Sequence, residues 1–211
     1  MNKKFVAGVL ATMTISSAVY LKTTYQVLRV IDGDTFETIE HQKIRLSGVD
    51  SPELELCGGQ EAKIALEKLI LGKRLFIKVL FNDKFKRLVS QVYFGNQSIS
   101  RWILVSGNAY FVNVGDSDSE ELQKSSEFAR SKKLGIYGEK CTQTENKINS
   151  KCNIKANILM RDGSKYYRFP GCGQYNNTIV QLYMGDQWFC TEHEALEAGF
   201  TKGSDCFDQK F

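Results

Sequence analysis

The sequence lacks a Cys-x-x-Cys pair among its six cysteines. Zinc sites usually show such close ligand pairs, so disulfides are the expected use of the thiols. It also lacks net charge over most of its length. Of the formal +4, residues 1–24 supply three lysines and no acid, residues 25–141 hold 17 basic and 16 acidic residues, and residues 142–211 hold eight of each. A general positive field is thereby excluded as the means of holding a polyanion, and any anion site must be built from individually placed side chains. No internal repeat and no low-complexity tract is present. With 211 residues and 42% hydrophobic content, the chain can bury one good core, or one domain of average size with a small appendage.

Residues 1–24 have the layout of an export signal: Lys3 and Lys4, an apolar run from Phe5 to about Ile15, then the small Ser16-Ser17-Ala18. Val19-Tyr20-Leu21 extends the apolar run toward the lower limit of a membrane span. Cleavage after Ala18 and retention as an anchor are therefore both open. Either outcome puts the remainder outside the cytoplasm, periplasmic, secreted or membrane-anchored, where thiols oxidise.

Beyond this segment, short β-rich runs alternate with turn signals. Gln26 to Ile31, Thr35 to Glu40, Ile44 to Leu46, Leu75 to Phe81 and Leu88 to Phe94 are the expected strands. Gln60 to Leu71 places Ala62, Leu66, Leu69 and Ile70 at helical spacing and stops at Gly72. Two more helices are expected, about Ile99 to Val105 and about Ser119 to Lys133, the latter with Glu120 and Glu121 early and Arg130, Lys132 and Lys133 late, as the helix dipole favours. Five strands with a helix after the third, then two further helices, is the element order of an OB-type barrel, mainly β with α. Residues 142–150 are polar and read as a linker. A small module follows at 151–211, with four of the cysteines and two glycine-rich turns.

Three short blocks carry chemistry: Val30-Ile31-Asp32-Gly33-Asp34-Thr35, Arg45-Leu46-Ser47-Gly48-Val49-Asp50-Ser51-Pro52-Glu53 and Asp83-Lys84-Phe85-Lys86-Arg87. Each has a plain structural reading, as a hairpin turn, a helix-start capping box and a solvated turn. Together, in this order and at these separations, they resemble the staphylococcal nuclease (thermonuclease) family over roughly residues 25–141. The resemblance implies a nuclease on an OB barrel that hydrolyses DNA and RNA with Ca2+ and leaves 3'-phosphates. Residue by residue, it implies that Asp34, Asp50 and the main-chain carbonyl of Ser51 bind the metal, with Asp32 behind them accepting from metal-bound water. It gives Glu53 the position of the general base or water-orienting group, Arg45 and Arg87 that of the phosphate forks, and Lys84 and Phe85 that of the nucleotide pocket.

The residue types suit the task. Attack on a phosphodiester anion needs its charge neutralised and the pentacoordinate state stabilised. Carboxylate and carbonyl oxygens suit Ca2+, and planar, always-charged guanidinium forks suit phosphate. Neither His41 nor His193 lies in a position matching the family. The chain departs from the family pattern at Lys86, where glycine is common, at Phe85, which lacks a tyrosine's hydroxyl, and at Asn113, where a base-stacking tyrosine is expected, with Tyr110 and Phe111 nearby. An alternative reading is a non-catalytic OB-fold that binds nucleic acid, or a cell-surface protein.

The segments around Cys152, Tyr167 to Cys172 and Trp188 to Phe200 resemble a small domain found behind the nuclease domains of some bacterial exported proteins. Arg168 stands where that family often has histidine. A compact stapled β structure is the plain expectation, and binding of a cell-envelope ligand the sharper one. A monomer is expected. Six cysteines allow 15 complete connectivities. Pairing Cys57 with Cys141 would close the nuclease domain on itself; Cys152 and Cys190, in the two most family-like segments of the module, form the next expected pair and leave Cys172 with Cys206.

Overall fold

The computed structural model describes residues 24–206; residues 1–23 of the expected export segment lie outside them. In the first half β1 (Thr24–Val30), β2 (Thr35–Thr38) and β3 (Lys43–Leu46) form an antiparallel meander. After β4 (Val49–Asp50) and α1 (Gly59–Ile70), β5 (Arg74–Asn82) pairs with β1, and β6 (Leu88–Phe94) pairs with β5. β6 then meets β3 in parallel, with Arg45 opposite Val89, and this closes the five long strands into the expected OB-type barrel. Alternation on these strands sends Val27, Phe36, Ile44, Leu46, Leu75 and Val92 to the inside, where α1 adds Leu66 and Ile70.

A short β7 (Gln97–Ser98) leads into α2 (Ile99–Val105), whose first turn is capped by the Ser98 hydroxyl accepting from the Arg101 N–H. β8 (Tyr110–Phe111) follows and pairs with β4, placing Tyr110 opposite Asp50. α3 (Ser119–Ser131) packs on α2 and stops two residues short of the expected end, because Lys133 turns to the left-handed region at φ 54°. The Cys57–Cys141 disulfide ties the start of the α1 region to the end of this unit.

Thr142 and Gln143, expected in the linker, instead form β9, which pairs with β12 (Val180–Gln181) of the C-terminal module. Between them come β10 (Ile154–Ile158) and β11 (Lys165–Arg168); after them come β13 (Gln187–Phe189), α4 (Glu192–Glu197) and β14 (Thr201–Lys202). The module's sheet runs β13-β10-β11-β14 around buried Ala156, Tyr167 and Phe200. Its helix α4, the fourth α-helix among the described residues, is opened by a capping box, in which the Thr191 hydroxyl accepts from the Glu194 N–H while the Glu194 carboxylate accepts from the Thr191 N–H. Disulfides Cys152–Cys190 and Cys172–Cys206 staple the module, so all three observed pairs are those expected. Arg168 does not head a metal site: its Nε donates to both oxygens of Asp205, at 2.9 and 3.2 Å.

Candidate active site

The turn after β1 carries Asp32, Gly33 and Asp34, and it lies against the 50–53 segment. A Cβ at Gly33 would sit 2.6 Å from the Ala62 Cβ and 2.7 Å from the Ser51 Cβ, so only glycine permits this approach. Asp34 is buried beneath it. One carboxylate oxygen accepts from the Thr35 hydroxyl at 2.8 Å and from Arg45 Nη1; the other accepts from the Ser51 main-chain N–H at 2.9 Å and the Ser51 hydroxyl at 3.3 Å. Asp32 accepts from the Asp34 N–H at 3.0 Å.

Arg45 reaches this point because β2 and β3 are in register, Thr35 opposite Arg45. Its Nη2 donates to Asp50 Oδ1 at 2.8 Å and to the Val49 carbonyl at 3.2 Å. One guanidinium thus bridges two carboxylates. The other oxygen of Asp50 accepts from the Tyr110 hydroxyl at 2.6 Å, a bond that the β4–β8 pairing sets up.

Burial pushes the Asp34 carboxyl above its ordinary pKa; Arg45 opposes this shift and Asp32 adds to it. Burial works against the Arg45 charge too, but Asp34 and Asp50 outweigh it and hold the guanidinium firmly protonated. The Tyr110 hydroxyl is pushed well up by burial and by its bond to Asp50, so it stays a donor. Three carboxylates against one guanidinium leave this corner negative.

That imbalance and the all-oxygen donor set fit a hard divalent cation. Among the described residues no three His, Cys, Asp or Glu side chains converge as a ready-made cage. The protein's share would be Asp34, Asp50 and a main-chain carbonyl, with water completing the shell.

The second arginine arrives from the β5–β6 turn. Asp83 opens that turn and accepts from the Phe85 and Arg87 main-chain N–H groups, both at 2.9 Å, and from Arg87 Nε at 2.8 Å. Arg87 Nη1 then reaches the Thr35 hydroxyl at 3.4 Å. A continuous arc results: Arg87, Thr35, Asp34, Arg45, Asp50, Tyr110. Lys86, where glycine is common in the family, adopts glycine's left-handed backbone at φ 62°, and the turn keeps its hydrogen bonds from Lys86 N–H to Asp83 and from Asp83 N–H to Arg87. The departure at this position has therefore not displaced Arg87.

The structure brings Asp32, Asp34, Arg45, Asp50, Ser51 and Arg87 together. Glu53 follows two residues after Ser51, exposed, and its side chain has no hydrogen-bond or ion-pair partner among the described residues. Phe85 is 65% exposed, with its ring 5.3 Å from the Arg87 guanidinium carbon and 5.0 Å from Lys84 Nζ, so these three form an outer lip. Sequence reasoning missed the bonds of Thr35, Asp83 and Tyr110. Asp83 was findable, since aspartate opening a turn commonly accepts from backbone N–H groups two to four residues on.

Residues 43–139 match the family model described as staphylococcal nuclease homologue. An uncharacterized 38.1 kDa protein of Capnoides sempervirens is 36% identical over 111 residues, 52% of this chain and 32% of its own length. The probable staphylococcal-like nuclease CAN2 of Oryza sativa subsp. japonica is 39% identical over 95 residues, 45% and 26% of the two chains. An uncharacterized endonuclease of Haemophilus influenzae is 28% identical over 143 residues, 65% and 80% of the two chains. The chain thus spans about a third or less of the two plant relatives.

Proposed function

We propose that this chain, whose residues 43–139 match the staphylococcal nuclease homologue family, is an exported, Ca2+-dependent nuclease that hydrolyses phosphodiester bonds of DNA and RNA and leaves 3'-phosphates. The observation that carries the reading is the arc from Arg87 through Thr35 and buried Asp34 to partly exposed Asp50, with Arg45 bridging the two carboxylates and Arg87 joined to them through Thr35. A binding-only barrel has no use for so costly a cluster: burying Asp34 against its own charge is the kind of perturbation that marks reaction sites.

In this reading Asp34, Asp50 and the Ser51 carbonyl hold the metal, which when bound would neutralise phosphate charge and lower the pKa of a coordinated water. Asp32 fixes the turn behind Asp34 by accepting its N–H. Glu53 has an unengaged carboxylate on the adjoining segment and takes the proton of the attacking water, or orients that water. Arg45 and Arg87 are held by acceptors on one side and present their remaining N–H groups to the phosphate, where they stabilise the charge that grows as the pentacoordinate state forms. Lys84 and Phe85 line the nucleotide's approach. The catalytic set of Arg45, Arg87, Glu53 and the metal ligands touches phosphate alone, which favours no sugar type. Three disulfides support an oxidising location and hence export.

Digestion of labelled single-stranded DNA and RNA in Ca2+, in Mg2+ and in a calcium chelator tests this, with end-group analysis of the products. Cleavage of both polymers in Ca2+, little in Mg2+ and none in chelator is expected. Undiminished cleavage in chelator, or strict action on one polymer, would defeat it.

A further inference from the structure

A cleft of about 470 Å3 opens on the far side of Tyr110 from Asp50. One wall comes from the nuclease unit, with Tyr110, Phe111 and Arg130; the other comes from the C-terminal module, with Met160, Tyr183 and Met184. Its base is rigid. The Tyr183 ring is buried, lies 6.2 Å from Tyr110 and 5.9 Å edge-on from Tyr137, and its hydroxyl accepts from Gln181 Nε2 at 2.8 Å. The β9–β12 pairing and the Leu182 N–H donating to the Cys141 carbonyl at 2.8 Å fix the two walls together.

The rim has the chemistry of a nucleotide site. Arg130 has no carboxylate partner among the described residues; its guanidinium lies 4.8 Å over the Tyr137 ring, which leaves its N–H groups available. The carboxylate of Glu127 also lines the cleft, oriented by Gln123 Nε2 donating to it at 2.9 Å and making no ion pair with Arg130. Met160 stands at the turn between β10 and β11 with 66% of its surface exposed, a large apolar side chain held out at the cleft mouth. An unpaired cation beside aromatic and thioether surface is the combination that single-stranded nucleic acid requires: charge for the backbone, flat apolar faces for bases.

We infer that this cleft is a second strand-binding subsite, taking the single-stranded nucleic acid that flanks the scissile phosphate, with Arg130 on a flanking phosphate and Met160 and Phe111 against a base. Continuity decides the occupant. Tyr110 lines the cleft and donates its hydroxyl to Asp50, so one residue borders both the cleft and the catalytic arc, and a strand running from the arc past Tyr110 would meet the cleft. The inference rests on the nuclease reading and gives the C-terminal module a share of the substrate.

The test measures binding of a labelled single-stranded oligonucleotide of about ten nucleotides by fluorescence anisotropy in chelator, and hydrolysis of bis-para-nitrophenyl phosphate in Ca2+, for the full chain and for Arg130→Gln, Met160→Ala and Met160→Glu. Expected are roughly tenfold weaker binding for Arg130→Gln with a salt slope lowered by about 0.7, about threefold weaker binding for Met160→Ala, a larger loss for Met160→Glu, and unchanged hydrolysis of the small diester. Wild-type affinity and salt slope in all three variants would overturn the inference, as would equal losses on oligonucleotide and small diester. Weakened binding in variants of a protein that hydrolyses neither substrate would uphold the cleft and reject the nuclease reading.

Discussion

Replacing Arg45 by lysine isolates what a planar fork does in this site. Arg45 holds Asp34 with one nitrogen and Asp50 and the Val49 carbonyl with the other. A lysine ammonium, a point charge on a flexible stem, can keep the buried Asp34 but not both carboxylates in this geometry. The structural loss is then one charge-assisted hydrogen bond, about 1.5–3 kcal/mol in general. The Asp50 side chain is 38% exposed, so water replaces much of the bond and the lower end applies. For a chain of this size that lowers the melting temperature by a few degrees. The catalytic loss is larger. A preorganised donor aimed at developing charge is worth ~3–4 kcal/mol, or at least about a hundredfold in turnover.

The assay is therefore paired: kcat on single-stranded DNA at saturating Ca2+, and thermal unfolding of the same preparation. A fall of at least about a hundredfold in kcat with only a few degrees of melting shift is expected. Near wild-type kcat would refute the assignment of Arg45 to the phosphate and leave it a strut between carboxylates. A defect confined to sub-saturating Ca2+, with kcat near wild type once Ca2+ saturates, would refute it equally, since it would place the defect in carboxylate positioning. The same replacement at Arg87 should also cost at least about a hundredfold, because the turn that aims Arg87 is intact.

Lys86→Gly should leave activity in place and raise stability by up to about 1 kcal/mol, since relief of the left-handed strain at φ 62° exceeds glycine's entropy cost in the unfolded chain; a destabilised variant on chemical denaturation would show that the lysine side chain earns its position by contacts. Replacing Cys57 and Cys141 by serine opens a loop with a sequence separation of 84, which loop entropy puts at about 4.5 kcal/mol. Unfolding of that variant should come at distinctly lower denaturant, and an unchanged midpoint would count against the bond as a stabilising closure.

The barrel was legible because its β-rich runs are set off by turn signals and its helix α1 carries apolar residues at helical spacing; each is a local signal that needs no knowledge of partners. The three chemical blocks were legible for the same reason, as contiguous residues. What stayed hidden depends on pairing at a distance. β4 and β8 are two residues each and meet across about 60 positions, so no periodicity announces them, and with them goes the bond from Tyr110 to Asp50. β9 likewise reads as polar linker because its two residues are specified by β12, not by their own pattern. α4 is a different case: Thr191 followed by Glu194 is a readable capping signature, and only the six-residue length of the helix kept it from standing out. The engagement of Arg45 with the carboxylates was hidden for an energetic reason. Motif reasoning assigned acids and arginines to different partners, but a carboxylate as buried as Asp34 requires a cation within the fold itself.

These same long-range pairings change what the C-terminal module is. On a polar tether it would be an independent appendage, free to bind something of its own. Here it adds a strand beside Cys141, donates from Leu182 to the Cys141 carbonyl, and places Trp188 Nε1 2.7 Å from the Gln143 side-chain oxygen. Tyr183 joins Ala129, Ile136 and Tyr137 in one buried cluster, with Met184 and Tyr110 packed against it. The residue that orients Asp50 from one side is therefore packed from the other by the module. Losing the module would remove Tyr183 from Tyr137 and from Tyr110, leaving Tyr110 held by the β4–β8 bridge, its bond to Asp50 and the packing of its own half. The geometry of the acidic corner is in this sense shared by both halves of the chain, joined where Tyr183 of the module packs against Tyr110.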